Sequence, residues 1–307
     1  MGRYVLRRLL QMIPVFIGTT FLIFYMVYSL GDPIAAQFQG KSPTPAVANQ
    51  LRHQLWLDRP LWEQYLHYMA GVFQGNFGTS FNGTPVTKLM FSAFPTTIKL
   101  TVVAFLFEMI AGISLGVISG LRRGKLVDTL VLLFTLVIIS VPIFVIGYVV
   151  QYLLGVKWHI INPSVDNGAP WGQLIVPGLV LASTSLAYVA RLTRTTVAEN
   201  ARADYVRTAV AKGLPQRRVV VNHLLRNSLI PVVTFLGTDL GALMGGALIT
   251  ENIFNIQGVG YNLYQGIQQQ NTPTVVGFVT ILVIIYLVAN LLVDLLYAVL
   301  DPRIRYA

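Results

Sequence analysis

The chain has 307 residues, of which 54% are hydrophobic and only 11% charged, and its mean hydropathy is +0.64. A soluble domain carries about 25% charged residues, so the composition excludes an ordinary globular protein and points to a polytopic membrane protein. The chain has no cysteine, four scattered histidines and a formal charge of +10; this excludes disulfides, thiol chemistry and Cys-ligated metal, and no metal site is expected.

Met1 to Arg8 is short and basic, and Leu9 to Gly31 then runs 23 residues without a charge. About 20 helical residues cross a hydrocarbon core of roughly 30 Å, so this run predicts a first span. It is too long for a signal-peptide core and lacks a small-residue cleavage site. Residues 32–98 form the longest stretch outside the spans. Ser42-Pro43-Thr44-Pro45 is a turn, Ala46–Leu57 and Leu61–Phe73 are amphipathic, and Gly75, Gly78 and Gly83 mark loops. Trp56, Trp62, Tyr65, Tyr68, Phe73, Phe77 and Phe81 suit a membrane–water interface.

Leu100–Leu121 predicts a second span, with Glu108 inside it and Gly112, Gly116 and Gly120 on one helix face. Arg122, Arg123 and Lys125 make a basic turn. Thr129–Val156 is an uncharged third span with Pro142 as its kink. Residues 157–172 read as a loop, and Gln173–Ala190 as a fourth span. The fifth, Ser228–Thr250, carries Asp239 and a second ladder, Gly237, Gly241 and Gly245. A polar loop follows over Glu251–Thr272, and Pro273–Leu300 is the sixth span, with Asp294 near its end. The glycine ladders let helices approach closely, within this chain or against a second subunit. A carboxylate at span depth costs about 2.5–3.5 kcal/mol on insertion scales, so Glu108, Asp239 and Asp294 face the protein interior or a wet pathway. They line that pathway or hold neighbouring helices; a proton or ion relay is the other reading.

Thr193 to Pro231 is the longest polar run. It holds Arg194, Arg202, Arg207, Lys212, Arg217, Arg218 and Arg226 between two apolar segments. Val197, Ala201, Tyr205, Ala209 and Lys212 fall at helical spacing, and Glu199–Arg202 and Asp204–Arg207 are pairs that support a helix. Gly213 and Pro215 end it, and a second helical piece is predicted from Gln216 to Asn227. Six spans put both termini on one side with this island, and that side holds 16 of the 22 Lys and Arg. The positive-inside rule places it in the cytosol. The charge therefore reports topology and asks for no nucleic acid. The phosphate-cradling G-x-x-x-x-G-K-S/T and the zinc helix H-E-x-x-H are both absent.

The island also carries a resemblance. Arg207-Thr208-Ala209, three residues and then Gly213, followed by Ile230-Pro231, resembles the EAA-type loop of ABC-transporter permease subunits. Tyr205-Val206-Arg207-Thr208-Ala209 leading into Ala211-Lys212-Gly213-Leu214, and Arg226-Asn227-Ser228-Leu229-Ile230-Pro231, are similar to the oligopeptide/dipeptide branch. Arg207 stands where the general pattern has Glu. The resemblance extends to Tyr4–Leu10, Ile13-Pro14, Gly31-Asp32-Pro33 and Asp301-Pro302-Arg303.

It implies an all-α polytopic membrane protein with six transmembrane helices of the type I ABC importer permease (MetI-like) architecture. Residues 1–31 would hold the N-terminal segment and first span. Residues 32–98 would be an extracytoplasmic region, and residues 99–307 a five-helix core with a cytoplasmic coupling loop at 191–227. The chain would be half of a peptide translocation pathway in a bacterial inner membrane, with both termini cytoplasmic and no cofactor or catalytic residue of its own. The implied partners are a second permease subunit, two cytosolic ATP-binding subunits and an extracytoplasmic solute-binding protein, for which residues 32–98 would be a docking surface. Tyr205, Arg207, Thr208, Ala209, Lys212, Gly213 and Leu214 would seat on the ATPase. An ion- or proton-coupled transporter working without an ATPase is the alternative.

Overall fold

A computed structural model describes residues 2–29, 33–38 and 43–300, and their side chains except at 2–5, 35, 36, 246 and 292–300. The described residues are helical apart from turns, loops and an isolated bridge between Thr79 and Pro85. Among the described residues, four helices are long and apolar enough to cross a membrane, or up to six if each of two bent helix pairs is one span. The chain packs as two compact units, residues 1–97 with 255–307, and residues 98–254.

In the first unit, α1 (Gly2–Ser29) lies along α15 (Thr272–Leu300). Between them in sequence come α2 (Pro33–Gln37), α3 (Pro45–Gln54) and α4 (Leu61–Phe73). Helix α4 is held by aromatic packing and by its hydroxyls. The Tyr65 ring meets Phe21 and Phe24 edge-on at 5.2 and 5.7 Å. Its hydroxyl lies 2.9 Å from Thr20 Oγ1, and Tyr68 donates to Thr280 Oγ1 at 3.0 Å. In a low-dielectric interior such paired hydroxyls avoid the penalty of an unmet polar group.

Helix α5 (Val86–Phe107) continues through a π-helical turn at Glu108–Gly112 into α6 (Ile113–Leu121). The second span thus begins near Val86, well before Leu100, and keeps Pro95 inside its helix. In the second unit α7 (Leu126–Ser140) and α8 (Ile143–Val150, extended by a π-helical stretch over Gln151–Lys157) are bent by 99° at Val141-Pro142. Pro142 has no N–H to continue the ladder, and Val141 is extended, with φ −100° and ψ 126°. Helix α9 (Ile175–Asn200) is the axis of this unit and buries twelve residues, from Pro177 to Ala198. By contrast Leu133, Phe134, Val137, Tyr148 and Tyr152 on α7 and α8 are more than half exposed. An apolar surface of that kind suits lipid or another membrane subunit.

The basic island folds as α10 (Asp204–Ala211), α11 (Gln216–Arg218), a π-helical stretch at Val219–Leu225 and α12 (Arg226–Ser228). Then α13 (Ile230–Ile253) begins after a 49° bend. The predicted continuous helix from Val197 to Lys212 is broken: α9 stops at Asn200, and Ala203 is extended at ψ 147°. The Gly- and Gln-rich stretch read as a loop holds α14 (Val259–Gln268), which buries Val259, Leu263 and Gly266. Its first N–H is capped by Thr97 Oγ1 at 2.8 Å.

Candidate functional site

The basic island forms a hairpin with its own small core. Val206 and Ala209 of α10 pack with Val197, Val219 and Leu224, and Leu214, Val220 and Val117 lie against them. An eight-residue helix is too short to persist alone in water, so this burial is what holds α10. One fully buried Val contributes about 1.5–3 kcal/mol relative to exposure. The opposite face is free: Tyr205, Arg207, Thr208, Val210, Ala211, Lys212 and Gly213 are exposed, and Leu214 is half-buried. Ala209, grouped with them from sequence, is buried inside the hairpin. Val210, 60% exposed on that face, was outside the sequence-predicted set.

Local details fix the hairpin. Tyr205 donates to Asn200 Oδ1 at 2.6 Å across the turn between α9 and α10. Gly213 closes α10 with φ +73°, the left-handed conformation that non-glycine residues adopt at a cost. Arg207 and Asp204 lie 3.8 Å apart but are highly exposed, which makes their attraction weak. Glu199 and Arg202 form no side-chain pair, because Arg202 sits past the end of α9 and the helical spacing no longer applies.

Two features tie this hairpin to the membrane core. Asp128, in the first turn of α7, accepts hydrogen bonds from Arg194 Nε and Nη2, both at 2.8 Å, from the Gly124 N–H at 2.8 Å and from the Ser119 hydroxyl. Its side chain is 3% exposed and that of Arg194 is 20% exposed. Neither residue carried a role in the sequence reading beyond Arg194's share of the topological charge.

The first glycine ladder makes the second link. A Cβ on Gly112 would lie 2.7 Å from Val189 Cγ1, one on Gly120 would lie 2.9 Å from the Arg194 carbonyl oxygen, and one on Gly116 would collide with Thr193. Thus α6 lies against α9 at backbone distance along three turns. The second ladder differs. Gly241 is buried, Gly237 is half-buried, and Gly245 is exposed, where an added Cβ would meet no atom within 4 Å.

Glu108 opens the π-helical turn and is fully buried. Its carboxyl lies against that of Asp239 on α13, within hydrogen-bonding reach, and no other group bonds either Glu108 oxygen or the buried Asp239 Oδ2. Asp239 in turn lines a cavity of about 350 Å³ at the α7–α8 break. The side chain of Asp294 lies outside the described residues. Gly112-Ile113-Ser114-Leu115-Gly116 matches a nucleophile elbow by letter. That motif needs a strand-to-helix turn, and here the string is continuous helix with Ser114 exposed. No group of three or more His, Asp or Glu side chains able to hold a metal ion is found among the described residues.

Residues 112–306 match the family described as binding-protein-dependent transport system inner membrane component, and residues 1–101 match the N-terminal family of the same membrane components. The chain is 36% identical to the dipeptide transport system permease protein DppB of Escherichia coli (strain K12), across 100% of this chain and 99% of that protein. It is 36% identical to the probable peptide ABC transporter permease protein y4tP of Sinorhizobium fredii, across the whole of both. It is 35% identical, again end to end, to the glutathione transport system permease protein GsiC of Salmonella typhimurium.

Proposed function

The chain belongs to the family of binding-protein-dependent transport system inner membrane components, and from that membership we propose that it is the membrane-spanning permease subunit of an ATP-driven ABC importer for peptides. Its implied partners are a similar permease subunit, two cytosolic ATP-binding subunits and an extracytoplasmic solute-binding protein. The hairpin and both termini face the cytosol.

The observation that carries the reading is mechanical. Helix α10 presents Tyr205, Arg207, Thr208, Val210 and Lys212 outward while its inner face is packed on the end of α9. Helix α9 is in turn joined to α6 by the glycine contacts and to α7 by Asp128. A partner that grips the outer face of α10 therefore moves α9, α6 and the start of α7 together. Closure of the ATPase pair on ATP pushes α10, and the helices around the Pro142 break respond by changing which side of the membrane the pathway opens to. Residues seated on the ATPase would be Tyr205, Arg207, Thr208, Lys212, Gly213 and Leu214, with Ala209 holding the helix from beneath.

The test is uptake of alanyl-alanine into proteoliposomes that hold the complete transporter and its binding protein. Uptake that requires ATP supports the reading. Uptake that persists without ATP and collapses with the proton gradient would overturn it in favour of a self-sufficient secondary transporter.

A further inference from the structure

The cavity at the α7–α8 break is built differently from the rest of its unit. Thr184 and Ser185 of α9 line it together with Pro142, Ile143 and Asp239. Serine and threonine in membrane helices usually return their hydroxyl to a carbonyl one turn back. Ser183, Thr195, Thr196, Thr135 and Ser140 all do so here. Thr184 and Ser185 make no such bond and keep their hydroxyls for the cavity.

Asp239 supplies the charge. Its Oδ2 is buried against the fully buried Glu108, and neither of these buried groups has a hydrogen-bonding partner beyond the other. A pair of carboxyls at span depth is costly, and here Asp239, with Glu108 behind it, lines an open space whose lining holds no Arg or Lys. What the cavity lacks is a hydrogen-bond donor that carries positive charge. A primary ammonium has three donors and a compact charge, which suits one carboxylate with two hydroxyls beside it. The π-helical turn that starts at Glu108 is a form of backbone irregularity that tends to accompany functional sites.

We propose that Asp239, backed by Glu108 and flanked by Thr184 and Ser185, is a transient binding point in the translocation pathway for the free α-ammonium group of a peptide. This rests on the peptide-importer reading above and adds a specificity contact in the membrane to it. The ammonium passes from water to the Asp239 carboxylate and the two hydroxyls, so the peptide is never desolvated without a counter-charge. The bend at Pro142 leaves the space in which this happens.

The chain has no cysteine, which makes a direct test clean. Ser185→Cys in the complete transporter is treated with a cationic and an anionic methanethiosulfonate reagent, and labelling of this chain is followed by mass. The cationic reagent reacts faster by about tenfold, and Asp239→Asn brings the two rates to near equality, the size expected of one focused charge in a low-dielectric cleft. Alanyl-alanine slows labelling of Ser185→Cys. With Ser185 native, Asp239→Asn lowers the turnover of alanyl-alanine uptake by about tenfold at saturating binding protein, and Asp239→Glu restores part of it.

Equal reaction of both reagents with Asp239 present, or wild-type turnover in Asp239→Asn, overturns the site. So does a parallel fall in uptake, basal ATPase rate and thermal stability in Asp239→Asn, which would make the residue a packing element. A wild-type transporter that takes up no peptide with ATP, yet shows the reagent preference, would sink the importer reading and leave a cation site standing.

Discussion

Arg194 grips Asp128 with two hydrogen bonds of 2.8 Å each, joining the first turn of α7 to the stretch of α9 just before the basic hairpin. Loss of one member leaves the other's charge short of its partner but able to reach water, since Arg194 is 20% exposed, at a cost of about 1–3 kcal/mol. Asp128→Asn and Arg194→Gln are each expected to lower the thermal stability of the purified protein by that order. Because the two groups act as one, the double variant should lose less than the sum of the singles. A double-mutant cycle with strictly additive losses would show that the contact contributes nothing as a pair. The functional expectation is separate: variants that still assemble should hydrolyse ATP with less peptide moved per ATP.

The glycine contacts give a prediction with an internal control. Gly116→Val places methyls where Thr193 and the Ala190 carbonyl already stand, whereas Gly245→Ala adds a methyl to open space. Overpacking of this sort costs about 1–3 kcal/mol. Thermal unfolding in detergent should therefore show a clear drop for Gly116→Val and little change for Gly245→Ala. Equal tolerance at both positions would argue that α6 and α9 do not approach at backbone distance. An assembly defect in Gly245→Ala without a stability loss would mark the second ladder as a seam with another subunit.

Much of the membrane architecture could be read from uncharged runs, because length and the absence of charge are what the bilayer demands. Leu9–Ser29 of the first run, Thr129–Val156 and Pro273–Leu300 correspond to helix, and Pro142 marks the break. What escaped was set by contacts far apart in sequence. Asp128 and Arg194 are 66 residues apart, and an arginine at the border of a span carries the same topological signal whether or not it is paired. Helix α14 escaped because two of its ten residues, Gly260 and Gly266, are glycines that local propensity counts against a helix, although both lie on its buried side. The break after Asn200 escaped for the opposite reason: Ala201 and Ala203 favour helix, and the packing of Val206 and Ala209 against Val197 overrides them. At the hairpin, sequence identified the segment, while burial was needed to turn Ala209 inward and Val210 outward.

That division predicts two kinds of loss within α10. Val210→Asp changes only an exposed side chain, so the hairpin should fold normally while the ATP-binding subunits co-purify several-fold less. Ala209→Asp puts a carboxylate into the hairpin core, at a cost of about 1–3 kcal/mol or more, and should destabilise the chain before any partner is added. Protease accessibility of the isolated chain separates the two. Wild-type ATPase recovery with Val210→Asp would remove the outer face of α10 from the interface.

Gly213 sharpens the same test, because its requirement is conformational. At φ +73° with no atom of this chain within 4 Å of an added Cβ, the obstacle to a side chain within the hairpin is backbone strain. Asparagine tolerates the left-handed region and a β-branched residue does not. Gly213→Asn should therefore keep the hairpin fold, and retain more ATP-driven peptide uptake than Gly213→Val. Gly213→Val should reshape the exit from α10, at about 1–2 kcal/mol of strain, and uncouple uptake from ATP hydrolysis. The turn has no other route to relief, since Pro215 fixes the chain two residues on and Leu214 is held against the hairpin core. If Gly213→Val and Gly213→Asn performed alike in uptake and in ATPase co-purification, the left-handed turn would not be what sets the angle of α10 against the motor subunit. The lever would then have to lie in the α9–α10 turn at Ala201–Ala203.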